Sequence, residues 1–147
     1  MFDYCQPTRI HFGTGRLKEV GTICSRYGKR CLLVTTPDAP LQPLYDRVKG
    51  ILSEQGIKVL HFDQVTPNPS VEMVEQGFEL LKANGADFVL GVGGGSSIDT
   101  AKTLAFTYGK EQIDWDELFE KFSSPFVNYE NYSETVLPLI TVPTTSG

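Results

Sequence analysis

The chain has 147 residues, 40% of them hydrophobic and 21% charged, with a formal net charge of -5. That length suits one ordinary globular domain with a substantial core, read here over residues 1–147. The acidic balance and the lack of any Lys/Arg cluster argue against a nucleic-acid or membrane partner, and no apolar run approaches the roughly 20 residues that span a bilayer.

Taken in chain order, the sequence opens on Met1-Phe2-Asp3-Tyr4-Cys5, which has neither the basic nor the apolar region of a signal peptide. Cys5, Cys24 and Cys31 form no CxxC pair, so free thiols and a cytoplasmic protein are expected. Arg9–Phe12 reads as a first extended piece, followed by a helix near Arg16–Tyr27. Arg30–Thr35 is a continuous apolar run of the kind a buried parallel strand shows. A helix over about Leu41–Gln55 follows, with Leu44, Val48, Ile51 and Leu52 on one face and Gly56 as its stop. Lys58–Phe62 is the next strand. Ser70 can cap the following helix, whose apolar face is Val71, Val74, Phe78 and Leu81, with Asn84-Gly85 ending it. Asp87–Val92 is a third strand. The helix after it carries Ile98, Ala101, Leu104 and Ala105, and Leu137–Val142 is a fourth strand. Between them, residues 109–135 form an excursion with a short helix at Asp114–Glu120, around Trp115, Leu118 and Phe119. Ser123–Glu134 reads as a long surface loop, either functional or a poorly ordered excursion.

Strands alternating with helices predict βαβ units and a parallel sheet. In such a sheet every strand ends on one edge, and ligands bind in the crevice outside it. Small residues and hydroxyls follow each strand: Thr36-Pro37-Asp38, Thr66-Pro67-Asn68-Pro69-Ser70, Gly93-Gly94-Gly95-Ser96-Ser97 and Pro143-Thr144-Thr145-Ser146-Gly147. Gly93–Ser97 is the sharpest, because three glycines remove every Cβ where a strand turns into a helix. An anion could then reach the helix N-terminus, where the dipole favours negative charge. A tight turn with a serine cap would look the same. Asp99 and Lys102 are either a surface pair or a carboxylate beside a ligand. His11 and His61 lie far apart and read as strand residues, so no metal site is recognisable.

Gly91–Lys102, reading Gly-Val-Gly-Gly-Gly-Ser-Ser-Ile-Asp-Thr-Ala-Lys, resembles the glycine-rich signature of the iron-containing (group III) alcohol dehydrogenases. Pro138–Gly147 resembles that family's second signature, and Pro67-Asn68-Pro69 and Arg9–Gly15 match it too. The resemblance implies an α/β fold with a Rossmann-like doubly wound parallel sheet that binds NADP or NAD. It also implies a helical domain whose Asp and three His hold Fe(II) or zinc, none of which lies in this sequence. By the same resemblance, Gly94, Gly95, Ser96 and Ser97 would hold the pyrophosphate. Asn68 and Asp99 would lie near the ribose and nicotinamide, and Thr144 and Thr145 would close over the cofactor. Many similar proteins have Asp directly after the first strand's Val-Thr, at the adenosine ribose. Here that position is Thr36, which does not repel a 2′-phosphate and so leans the reading to NADP, although Asp38 could still play the acidic part.

The implied activity is hydride transfer between an alcohol and an aldehyde in a homodimer. A related glycerol or polyol dehydrogenase, a maleylacetate reductase, or a non-catalytic nucleotide- or phosphate-binding module remain open. Gly147 falls inside the second signature, so the chain is expected to lack the helical metal-binding domain and to be inactive by itself.

Overall fold

A computed structural model describes residues 7–123 and 135–145. The apolar runs form four strands, β1 (Arg30–Val34), β2 (Lys58–Phe62), β3 (Phe88–Gly93) and β4 (Leu139–Pro143), in one parallel sheet ordered β2-β1-β3-β4. Five α-helices connect and flank them: α1 (Val20–Cys24), α2 (Gln42–Glu54), α3 (Val71–Asn84), α4 (Gly95–Thr107) and α5 (Trp115–Lys121).

Two apolar cores cover the two faces. On one, Leu32, Val34 and Val89 of the strands meet Val74, Phe78 and Leu81 of α3 and Ala101 and Leu104 of α4. On the other, Cys31, Leu33, Phe88, Leu90 and Val92 meet Val20 and Cys24 of α1 and Tyr45, Val48 and Leu52 of α2. The alternation along β1 and β3 therefore divides side chains between two layers of helices, which is why both strands are buried along nearly their whole length. On the first face the layers approach closely. A Cβ on Gly91 of β3 would lie 2.8 Å from the Cβ of Ala101, and one on Gly77 of α3 would lie 3.0 Å from a methyl of Leu104.

The N-terminal edge of the sheet is clamped by Asp87, which the sequence reading had placed inside the third strand. Its carboxylate accepts from the N–H groups of Lys29 and Arg30, at 2.8 and 2.9 Å, and from the Arg30 guanidinium at 2.8 and 3.1 Å. These bonds hold the carboxyl below the usual carboxylate range.

Two expectations need correcting. Arg9–Phe12 is not a strand: it pairs with nothing among the described residues, and Ile10 and Phe12 are 69% and 91% exposed. His11 is accordingly no strand residue, and its ring faces Arg16 at 3.4 Å. The helix expected at Arg16–Tyr27 is a 3-10 turn, Arg16–Glu19, running into the five-residue α1. In the excursion, Asp114 caps α5 by accepting from Glu117 N–H, and Trp115 donates to Glu75 of α3 at 2.9 Å. A Cβ on Gly109 would lie 2.7 Å from the Thr135 backbone, so the excursion starts and finishes at one place. The loop expected at Ser123–Glu134 lies outside the described residues after Ser123.

Candidate functional site

The chain leaves β1 for α2 on one face of the sheet, and leaves β3 for α4 on the other. Adjacent strands whose connections part in this way open a crevice between their C-terminal ends. The turns after β1 and β3 flank that crevice. The turn after β4 stands against that after β3, because Thr144 N–H donates to Gly93 O at 2.9 Å.

The start of α4 is the centre of the site. Gly93 has φ +145, and a Cβ there would lie 2.5 Å from the Ser97 hydroxyl. Glycine is therefore demanded twice, by backbone conformation and by space. Gly94 occupies the N-cap, and no side chain caps the helix. A Cβ on Gly94 would make ordinary contact with Thr145 at 3.4 Å, whereas one on Gly95 would meet nothing within 4 Å. Nothing in the protein's own packing requires glycine at 95. The open space over the first N–H groups of α4 suits a group that approaches the backbone closely and carries negative charge. Ser96 is part-exposed at the same end. Ser97 is fully buried and its hydroxyl has no hydrogen-bond partner, so the surface it offers a ligand is its backbone.

On the α2 side, Thr36 donates its hydroxyl to the Asp38 carboxylate at 2.7 Å, and its Oγ1 lies 2.9 Å from the Tyr45 hydroxyl. Beneath them, Thr35 Oγ1 donates to Thr36 O and lies 2.9 Å from Nε2 of His61. Burial pushes the imidazole pKa down, partly offset by Asp63, which keeps the ring neutral near pH 7. Its place on β2 is a scaffold role. Burial likewise pushes the Cys24 thiol up to about 12 and raises that of Cys31, leaving neither as a ready nucleophile.

On the α3 side, the turn after β2 carries Asn68, the one non-glycine described residue with positive φ, at 54°. Pro69 and Ser70 from this turn share a hollow of about 220 Å³ with Asp99 and Thr100 of α4 and with Trp115 and Phe119 of α5. Asp99 is exposed and paired with Lys102 at 3.1 Å, and Thr100 Oγ1 is buried without a partner. The structure thus brings Thr36, Gly94, Gly95, Ser96, Thr144 and Thr145 to one edge. Asp99 and the Asn68 turn lie on the α3 side, and the Ser97 hydroxyl faces inward. Tyr45 is the residue that sequence reasoning missed. Its signal was present, since positions 45, 48 and 52 share one helical face.

Among the described residues, no group of three or more His, Cys, Asp or Glu side chains is placed to hold a metal ion, and no helix is long and apolar enough to cross a membrane.

A doubly wound parallel sheet with a bare, glycine-lined helix start at its switch point defines an α/β domain of the kind that accommodates phosphorylated ligands. The family model of the iron-containing alcohol dehydrogenases matches residues 7–147, and the chain belongs to that family. It is 36% identical over 116 residues to NADH-dependent butanol dehydrogenase A of Clostridium acetobutylicum, covering 78% of this chain and 30% of that protein. It is 30% identical over 148 residues to the NADPH-dependent butanol dehydrogenase of Clostridium saccharobutylicum, covering 100% of this chain and 36% of the relative. A crystal structure of an iron-containing alcohol dehydrogenase from Thermotoga maritima superposes with a TM-score of 0.83 at 30% identity, over 99% of this chain and 38% of that one. The chain thus spans about a third of the length of these relatives.

Proposed function

We propose that these residues form the dinucleotide-binding part of an NAD(P)-dependent, metal-dependent alcohol dehydrogenase that exchanges hydride between an alcohol and an aldehyde. The observation that carries the reading is Gly95: it opens α4, and a Cβ there would touch nothing in the protein. A position kept free of side chain without internal need fits the close approach of a pyrophosphate. Two relatives are named for dependence on NADH and on NADPH, which supports a nicotinamide cofactor.

Gly94, Gly95, Ser96 and the Ser97 backbone hold the pyrophosphate by their N–H groups, and the dipole of the 13-residue α4 adds to the attraction. Thr144 and Thr145 close over it from the turn after β4, held there by the Thr144–Gly93 bond. The Asn68 turn and Asp99 orient the half of the cofactor on the α3 side, and Thr36 and Asp38 meet the half on the α2 side. When bound, the nicotinamide supplies the hydride acceptor or donor. The described residues do not fit a catalytic metal, which needs three or four protein ligands, so the metal is assigned to no residue here.

Calorimetric titration of the chain with NAD+, NADP+ and ADP-ribose tests the reading. Saturable binding of all or part of this set, lost on Gly95→Val in a folded protein, is expected. No binding of any of them, or undiminished binding by Gly95→Val, overturns it.

A further inference from the structure

We infer that Tyr45 is a positioning residue that, through Thr36, holds the Asp38 carboxylate as an element selecting NAD over its 2′-phosphorylated counterpart. The inference rests on the dinucleotide reading above and deepens it.

The hydrogen-bond directions follow by elimination. A carboxylate only accepts, so the single hydroxyl hydrogen of Thr36 lies on Asp38 Oδ2, at 2.7 Å. The Tyr45 hydroxyl, 2.9 Å away, must then donate to Thr36 Oγ1. The chain of donors runs Tyr45 to Thr36 to Asp38, and it starts from a fixed point. The Tyr45 ring is fully buried beside Val48 and Leu52, edge-on to His61 at 6.4 Å between centroids.

Asp38 stands at the N-cap of the 3-10 turn Ala39–Leu41, but Pro40 has no N–H to donate and the Leu41 N–H bonds the Asp38 carbonyl. Its side chain therefore caps nothing and turns back onto Thr36. It remains exposed at the mouth of the crevice, three residues beyond the last buried position of the β1 end, Thr35, with Thr36 part-buried between them. A Cβ on Gly93 would come within 3.9 Å of the Tyr45 hydroxyl, so this network adjoins the glycine turn. With a pyrophosphate over the start of α4, one nucleoside must extend toward the β1 turn. There the fixed carboxylate can accept from ribose hydroxyls, and it meets a 2′-phosphate as a like charge. Thr36 thus carries the acid indirectly, which reverses the leaning to NADP drawn from that position alone.

The test compares affinities for NAD+ and NADP+ by calorimetry on the intact chain, with circular dichroism and thermal melting as fold controls. The wild type should favour NAD+ by about tenfold or more. Asp38→Asn should bring the two within about threefold, mainly by improving NADP+ binding. Thr36→Val and Tyr45→Phe should each cut the preference several-fold, while Thr36→Ser, which keeps the hydroxyl, should retain it. A wild-type preference for NADP+, or a ratio untouched by Asp38→Asn, overturns the inference with the dinucleotide reading intact. A ratio that moves with Asp38→Asn but with neither Tyr45→Phe nor a folded Thr36→Val leaves Asp38 selective and overturns the role of Tyr45. Failure of the wild type to bind either nucleotide overturns both readings.

Discussion

The two edges of the sheet are built on opposite plans. At the N-terminal edge, one carboxylate, Asp87, takes four hydrogen bonds from two backbone N–H groups and one guanidinium, and the polar groups there satisfy each other. At the C-terminal edge, α4 begins on Gly94 with no side-chain cap and no acidic residue in its first turn. The same edge shows that a cap was possible. α3, packed beside α4, begins on Ser70, which accepts from Met73 N–H, and carries Glu72 in its first turn. A chain that closes one helix start and one sheet edge, and leaves the other helix start bare, keeps its self-satisfied polar groups apart from the helix start of the proposed dinucleotide site.

Gly95→Val breaks that division most directly. It should lower dinucleotide affinity by about 100-fold or more while the melting temperature stays within a few degrees, since nothing surrounds the missing Cβ. An equal loss of stability would show that Gly95 serves the fold. Asp87→Ala should do the reverse. It strands two N–H groups and the Arg30 guanidinium, and about 2 kcal/mol of unfolding free energy should disappear in urea titration. Nucleotide affinity should move by less than about threefold, because the clamp sits at the far end of the strands.

The same edge gives a pH dependence of known sign. The folded-state pKa of Asp87 lies below the ordinary carboxylate value near 3.9. Its contribution is therefore full above that value and is lost as pH falls through the depressed one. Melting followed from pH 6 down to pH 2 should fall more steeply for the wild type than for Asp87→Asn; parallel curves would place the acid sensitivity elsewhere. The smallest effect expected is that of Ser70→Ala, about 1 kcal/mol in stability, with nucleotide affinity moving by less than about threefold because the Ser70 hydroxyl is spent on the Met73 N–H. A larger change in affinity there would mean that the capped helix start also touches the ligand.

The periodicities carried most of the architecture. β2 lies where Lys58–Phe62 was expected, and α2 and α3 begin and end within about a residue of the expected bounds, because the apolar faces and glycine stops of the two helices are local signals. The parallel arrangement followed from strand-helix alternation and placed the four turns on one edge. What stayed hidden was set by partners distant in sequence. Asp87 looked like the first residue of a strand, since its clamp joins segments 57 and 58 positions apart. Arg9–Phe12 has the alternation of a strand, but a strand also requires a neighbour to pair with. Thr36 was legible as a residue type and illegible as a hydrogen-bond donor, because Tyr45 enters from a helix nine positions on. Ser97 could be located at the start of α4, but only packing against Gly93 decides that its hydroxyl points inward.

The close seating of α4 on β3 makes the helix a lever. Its fulcrum is the contact between Gly91 and Ala101, where even a methyl group would intrude to 2.8 Å. The bare N-terminus lies six residues away along the helix, a lever arm of about 9 Å. A Gly91→Ala methyl would also come within 3.5 Å of the Ser97 carbonyl oxygen, and relieving the overlap would tilt the arm and displace its free end. The site is thereby tuned from inside the core, and drift in its alignment can begin at a residue that no ligand ever meets.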